Sequence, residues 1–248
     1  MTSLRPSWPG RPPGRPPRSG AGASARQRYR NLRAAGRARR RVLVALALAA
    51  GAAAGLLLGG WAGLLVGALW GAGGTTLWLY RTDAARSWAR GALGERRTAR
   101  LLRPLERAGF AVLHDRALPR GRANLDHLVI TPAGTVVLVD SKNWARGRRL
   151  RRTGRTVRPA RYEARRVREE LARALGGPVE VRAVLAVHGG DLPLLRRVAV
   201  NGVPLLRARQ VRRWIVRHCP AADPARAERV RRECERLFPP YREPPRAA

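Results

Sequence analysis

The hydrophobic pattern changes character twice along the chain. Residues 1–41 show no apolar periodicity; Pro, Gly and Arg alternate, as in Arg11-Pro-Pro-Gly-Arg-Pro-Pro-Arg18. Such a stretch lacks the apolar content for a core and reads as a disordered tail, with a short helix near 25–41. Residues 42–80 then carry no charge at all. One helix of that length would run about 58 Å, and a bilayer's hydrocarbon core is only about 30 Å thick. Two membrane spans fit better, over 42–58 and 61–80, with a break at Gly59-Gly60. Glycine recurs every fourth residue from Gly51 through Gly55, Gly59, Gly63 and Gly67 to Gly71. That spacing lays a seam along one helix face, which permits close helix–helix approach and is also a surface for homo-oligomerisation. Trp61, Trp70, Trp78 and Tyr80 are suited to the membrane interface.

Beyond residue 80 the pattern alternates between helical and strand periods. Residues 81–91 read as a helical linker. A helix is expected over 92–108, its apolar side formed by Leu93, Leu101, Leu102 and Leu105. Strands are expected at 110–115, 124–131 and 135–142, with an Arg-rich strand over 148–158. A helix over 160–175, strands at 179–188 and 197–201, and helices at 207–218 and 223–237 follow. This is an α/β arrangement with a mixed sheet flanked by helices. The globular domain occupies 91–218, and 219–248 add a helix and a Pro-rich tail.

Charge narrows the function classes. The net charge is +35 and the pI about 12.0, which points to a polyanionic partner, nucleic acid or anionic lipid. Arg39, Arg40 and Arg41 precede the first span; Arg81, Arg86 and Arg90 follow the second. Both flanks should therefore lie in the cytoplasm, with both termini and the globular domain on that side. Cys219 and Cys234 are far apart and form no CxxC pattern, as free thiols of a reducing compartment would be. The four histidines show no metal-ligand spacing.

Lys142 is the only lysine beside 50 arginines. A compact ammonium on a flexible stem does what a planar guanidinium cannot, so its survival marks a position where Arg will not serve. It ends the apolar run Val136-Val-Leu-Val-Asp140-Ser-Lys142. Thr131-Pro-Ala-Gly-Thr135 is a hairpin turn, with Pro at its first corner and Gly at the following left-handed position. A three-residue loop puts 131 opposite 135, so paired positions sum to 266. Asp126 and Asp140 fall opposite each other by this rule, and Lys142 shares their face. Two opposed carboxylates repel unless a cation lies between them, and oxygen ligands with open water positions suit Mg²⁺ or Mn²⁺. His127 points to the other face, where a packed core histidine is expected.

Several segments together resemble the nuclease-related domain (NERD) family, a branch of the PD-(D/E)xK restriction-endonuclease-like superfamily. They are Gly94-Glu95 opening a helix, Val112-Leu-His-Asp115, Leu125-Asp-His-Leu-Val-Ile130, the Pro-x-Gly turn and Val139-Asp-Ser-Lys-Asn-Trp144. The resemblance covers about 91–200. It implies a restriction-endonuclease-like fold, with Glu95 as the helix-borne acid, Asp126 as the principal metal ligand, Asp140 as the second acid and metal ligand, and Lys142 as the catalytic lysine. Many members carry Glu where this chain has Asp140. The arginines that follow, Arg146, Arg148, Arg149, Arg151 and Arg152, are placed to grip a phosphate backbone. The expectation is a two-pass, membrane-tethered, metal-dependent nuclease acting on DNA or RNA. The rival is a non-catalytic membrane module that binds nucleic acid or anionic lipid through its arginines.

Overall fold

The computed structural model describes residues 20–82, 85–121, 123–144, 154–190, 192 and 198–242. The chain forms two compact units: Ala25–Ala89, and a second one built from Met1–Ser24 together with Arg90–Ala248.

The first unit holds most of helix α1 (Ala23–Ala35) and all of α2 (Arg37–Thr82). Helix α2 is two helices joined at Gly59 (φ −149°, ψ 19°) and Gly60 (φ 56°, ψ −142°). The Gly60 conformation is open in practice only to glycine, and the break falls where the sequence placed it. The resulting segments, Arg37–Leu57 and Gly59–Tyr80, are 21 and 22 residues long, with mean hydropathy 1.7 and 1.3, enough to cross a membrane. The glycine seam packs these two segments against each other. A Cβ on Gly51 would stand 2.1 Å from the Gly67 carbonyl oxygen, one on Gly55 1.9 Å from that of Gly63, and one on Gly71 2.2 Å from that of Ala47. The backbones touch directly, and Leu57, Trp61, Leu69 and Trp70 point outward. This unit fits a two-pass membrane hairpin.

The second unit has a six-stranded mixed sheet. Its helices are α3 (Ala85–Arg107, which begins in the first unit), α4 (Gly154–Leu175), α5 (Ala208–Arg217) and α6 (Pro224–Leu237). Its strands are β1 (Ala111–Ala117), β2 (Asn124–Ile130), β3 (Val136–Asn143), β4 (Val181–His188), β5 (Val198–Val200) and β6 (Val203–Arg207), in the order β1-β2-β3-β4-β6-β5. β1, β2 and β3 form an antiparallel meander, β3, β4 and β6 run parallel, and β5 is an antiparallel edge. On one face Leu102 and Leu105 of α3 and Val211 and Ile215 of α5 pack on Val112, Val129, Val137 and Val184. On the other, Val167 and Leu171 of α4 and Val230 and Cys234 of α6 cover Leu113, Leu128, Ile130 and Leu138.

The β2–β3 register is the one the turn dictates. Ile130 pairs with Val136, Val129 with Val137, Leu128 with Leu138 and His127 with Val139. Gly134 is left-handed at φ 78°, and its N–H donates to the Thr131 carbonyl at 2.9 Å. Two expectations need correction. The strand proposed over 148–158 is helical from Gly154 on, because Val157 and Ala160 continue the buried spacing of Ala164, Val167 and Leu171 one turn past Pro159; residues 148–153 lie outside the described residues. β6 occupies a stretch with no expected strand. Its Pro204 faces edge strand β5, and only Leu205, Leu206 and Arg207 pair with β4. Most of the tail expected to be disordered, residues 1–19, lies outside the described residues; the short helix expected near 25–41 is present as α1 and the first turn of α2.

Candidate active site

Four of the residues singled out by sequence converge where the β2–β3 ladder ends. Glu95 comes from α3. Gly94, just before it, lets the helix press on the end of β3: a Cβ there would meet the Asn143 Cβ at 3.2 Å. Asp126 and Asp140 occupy the positions that the 266 rule puts opposite each other, one step beyond the last paired residues, His127 and Val139. They do not form a ladder pair. Asp126 Oδ2 accepts the Ser141 backbone N–H at 2.8 Å, and Asp140 Oδ1 receives the Lys142 Nζ at 2.6 Å.

The electrostatics are under tension. Burial raises the Asp126 carboxyl well above the usual range, and Glu95 and Asp140 push it further; Lys142 and the Ser141 N–H pull it back. Glu95 is raised to about 7, by burial first and then by Asp115 and Asp140, against Lys142 and a hydrogen bond from the Gly22 backbone. Burial depresses the Lys142 ammonium, but Asp140, Asp126 and Glu163 outweigh it and hold its pKa above the ordinary value.

Glu163, which sequence reading passed over, belongs to this group. It lies on α4 between the buried Ala160, which belongs to the same apolar cluster as Trp144, and the buried Ala164, which belongs to that of Leu138. Trp144 and Leu138 bracket Asp140 and Lys142 on β3. Burial raises Glu163 to about 7, Asp140 adds to the rise, and Lys142 opposes it. Any sequence signal was faint: one of three acids on a helix rich in arginine.

A metal ion was expected on Asp126 and Asp140. Among the described residues no three His, Cys, Asp or Glu side chains form a ligand group. The donor chemistry nonetheless suits Mg²⁺ or Mn²⁺. Such ions take one or two carboxylates and keep several waters. Asp126 and Asp140 are two hard-oxygen donors, and Glu95 Oε2 is buried with no hydrogen-bond partner among the described residues. His127 is a fully buried core histidine, as expected, bonded to His114 and Ser141. Arg146, Arg148, Arg149, Arg151 and Arg152 lie outside the described residues.

The family model of the nuclease-related domain, NERD, matches residues 90–188, from Arg90, where the second unit resumes after the hairpin, to the end of β4. That span contains Glu95, Asp126, Asp140, Lys142 and Glu163, and the restriction-endonuclease-like assignment is consistent with the family's name. No match was found among curated proteins or among solved structures.

Proposed function

We propose that the chain is a membrane-tethered, metal-dependent nuclease that hydrolyses phosphodiester bonds on the cytoplasmic side. The observation that carries this reading is the placement of the single lysine: Lys142 Nζ lies 2.6 Å from Asp140, inside a segment matching a nuclease-related domain. Asp126 and Asp140 would hold Mg²⁺ or Mn²⁺. A divalent ion in such a site neutralises phosphate charge and lowers the pKa of a bound water. The remaining tasks fall to the chain. Asp140 aims the Lys142 ammonium, whose fixed positive charge opposes the negative charge that develops on the phosphate. The Glu95 carboxyl, displaced to about 7, can accept a proton from the attacking water near neutral pH.

The nucleic acid would be gripped by the arginine run 146–152 and by a cleft of about 760 Å³ at the carboxyl ends of the parallel strands, lined in part by Arg97, Arg100, Arg207, Arg209 and His188. No acidic residue is among its described lining residues. The hairpin supplies the tether. Arg39, Arg40 and Arg41 on one flank, and Arg81, Arg86 and Arg90 on the other, favour a cytoplasmic position for both of its ends.

The test is cleavage of DNA and RNA by the full chain with Mg²⁺ or Mn²⁺, beside a Lys142→Ala variant. Metal-dependent cleavage that the variant loses supports the reading. Tight, salt-sensitive binding without cleavage would instead support the non-catalytic, arginine-rich binding module.

A further inference from the structure

The candidate active site uses chain from both sides of the membrane hairpin. Residues Gly20–Ser24 precede the hairpin in sequence but belong to the same compact unit as Arg90–Ala248. They form a tight turn closed by the Ala23 N–H on the Gly20 carbonyl, 3.0 Å. The Ser24 N–H donates to Asp115 Oδ2 at 2.7 Å. Asn124 Nδ2 bridges the same two residues, at 3.1 Å from Ser24 Oγ and 3.3 Å from Asp115 Oδ1. The Gly22 N–H bonds the Glu95 carboxylate.

Local backbone detail fits the role. Gly22 is left-handed at φ 69°, and a Cβ there would stand 2.8 Å from the carbonyl oxygen of Ala92, one helical turn before Glu95. Only glycine passes so close to α3 in that conformation. Asp115 is also left-handed, at φ 50°. The β1–β2 pairing skips it, resuming at Arg116 opposite Leu125 after His114 opposite His127. Asp115 is fully buried, so its carboxylate needs donors, and the turn provides one. With one Glu95 oxygen held by Gly22, the buried Oε2 is left without a partner among the described residues.

We propose that Gly20–Ser24 is a positioning strap for the candidate active site: the backbone N–H groups of Gly22 and Ser24 fix the carboxylates of Glu95 and Asp115, and the domain matched at 90–188 is incomplete without them. The strap orients Glu95 and does not touch the reacting atoms. This deepens the nuclease reading and rests on it.

The test uses the full chain in detergent micelles. Two arms separate the strap from the nuclease reading. In the first, hydrogen exchange is followed at the Gly22 and Ser24 amides. The strap requires protection of both, comparable to that of core strand β2, and loss of that protection in Gly22→Ala. Amides that exchange freely in the wild-type chain overturn the proposal whether or not the protein cleaves. In the second arm, Ser24→Cys and Asn124→Cys are combined and the cross-link is closed by oxidation. Cleavage per folded molecule should fall at least about tenfold in Gly22→Ala, the order expected when a catalytic carboxylate loses a charge-assisted hydrogen bond. The oxidised double variant should be several-fold more active than its reduced form, because the link holds the strap where hydrogen bonds were removed. A reduced form as active as the oxidised one makes the turn merely structural. A more active reduced form makes it an inhibitor. Either overturns positioning. A wild-type chain that binds but does not cleave removes the nuclease reading, and the exchange arm then decides the strap alone.

Discussion

The two faces of the sheet at the β2–β3 end are built from neighbouring residues and behave in opposite ways. On the α3 face a continuous hydrogen-bond chain joins five side chains from five elements: His114 to His127 at 2.8 Å, His127 to Ser141 at 3.2 Å, Ser141 to Thr98 at 2.8 Å and Thr98 to His188 at 2.8 Å. With Ser141 donating to Thr98, every other step follows. His127 donates from Nε2 and accepts at Nδ1 from His114, and Thr98 donates to His188. Burial holds His127 well below its ordinary pKa, with His114 and His188 adding to the effect, so His127 is neutral and each internal member gives and takes one proton. On the α4 face, one residue to either side of Ser141, Asp140 and Lys142 join Asp126 and Glu163 in a cluster where burial and Asp140 raise both Asp126 and Glu163 and Lys142 opposes the rise. Both faces bury polar groups. The satisfied one locks the strand ends in place, and the strained one has charge left over for a ligand.

The contrast can be broken from either side. The largest effect should come from Asp126→Asn. On the proposed reading it removes a metal donor, so Mn²⁺ affinity measured by calorimetry should fall by more than the roughly 10–100-fold typical of changes one shell further out. The same variant, without metal, should melt higher than wild type at pH 8, because a carboxylate buried against Glu95 and Asp140 is relieved. Asp140→Asn should show no such gain, because it strips Lys142 of its partner. An equal rise in both would mean that the Lys142–Asp140 pair does not form.

On the neutral face, His127→Leu should cost about 1–3 kcal/mol of stability by leaving the Ser141 and His114 partners unmatched. Denaturant titration reads that loss. Metal affinity of the folded fraction should stay unchanged; a large loss would show that the two faces are one functional unit.

The smallest effect is a slope. Glu163 is raised from 4.5 to about 7 by burial and by Asp140, against Lys142. A raised carboxyl binds its proton more tightly in the folded state, so the folded form is penalised once the unfolded chain ionises. Without metal, stability should therefore fall as pH rises from about 4.5 to about 7. Glu163→Gln should flatten that fall, and Glu95 and Asp126 should sustain the rest. A variant with the wild-type slope would place Glu163 outside the cluster.

Much of this was legible in the sequence, and the misses have physical causes. The Pro132 and Gly134 requirements are local, so they set the β2–β3 register and brought Asp126, Asp140 and Lys142 together before any tertiary contact was known. The glycine repeat and the Gly59-Gly60 break likewise act at short range. β6 was hidden by Pro204, although Asn201 and Gly202, at φ 50° and 78°, make the two-residue turn that Asn-Gly favours in hairpins. Glu163 could not be told from the other acids of α4 until the fold brought it near Asp140 and Lys142. The strap was invisible because its donors are backbone N–H groups, and Ser24 lies 91 residues from Asp115.

The central claim is that the single lysine serves a metal-dependent phosphodiester cleavage that an arginine cannot. The most direct measurement is the Mn²⁺-dependent cleavage rate of the full chain against its Lys142→Arg variant, at matched folded fraction and matched nucleic-acid binding. The account predicts binding within about twofold and a cleavage rate lower by at least about a hundredfold, as when a group fitted to transition-state charge is lost. Equal cleavage by the two proteins would contradict it.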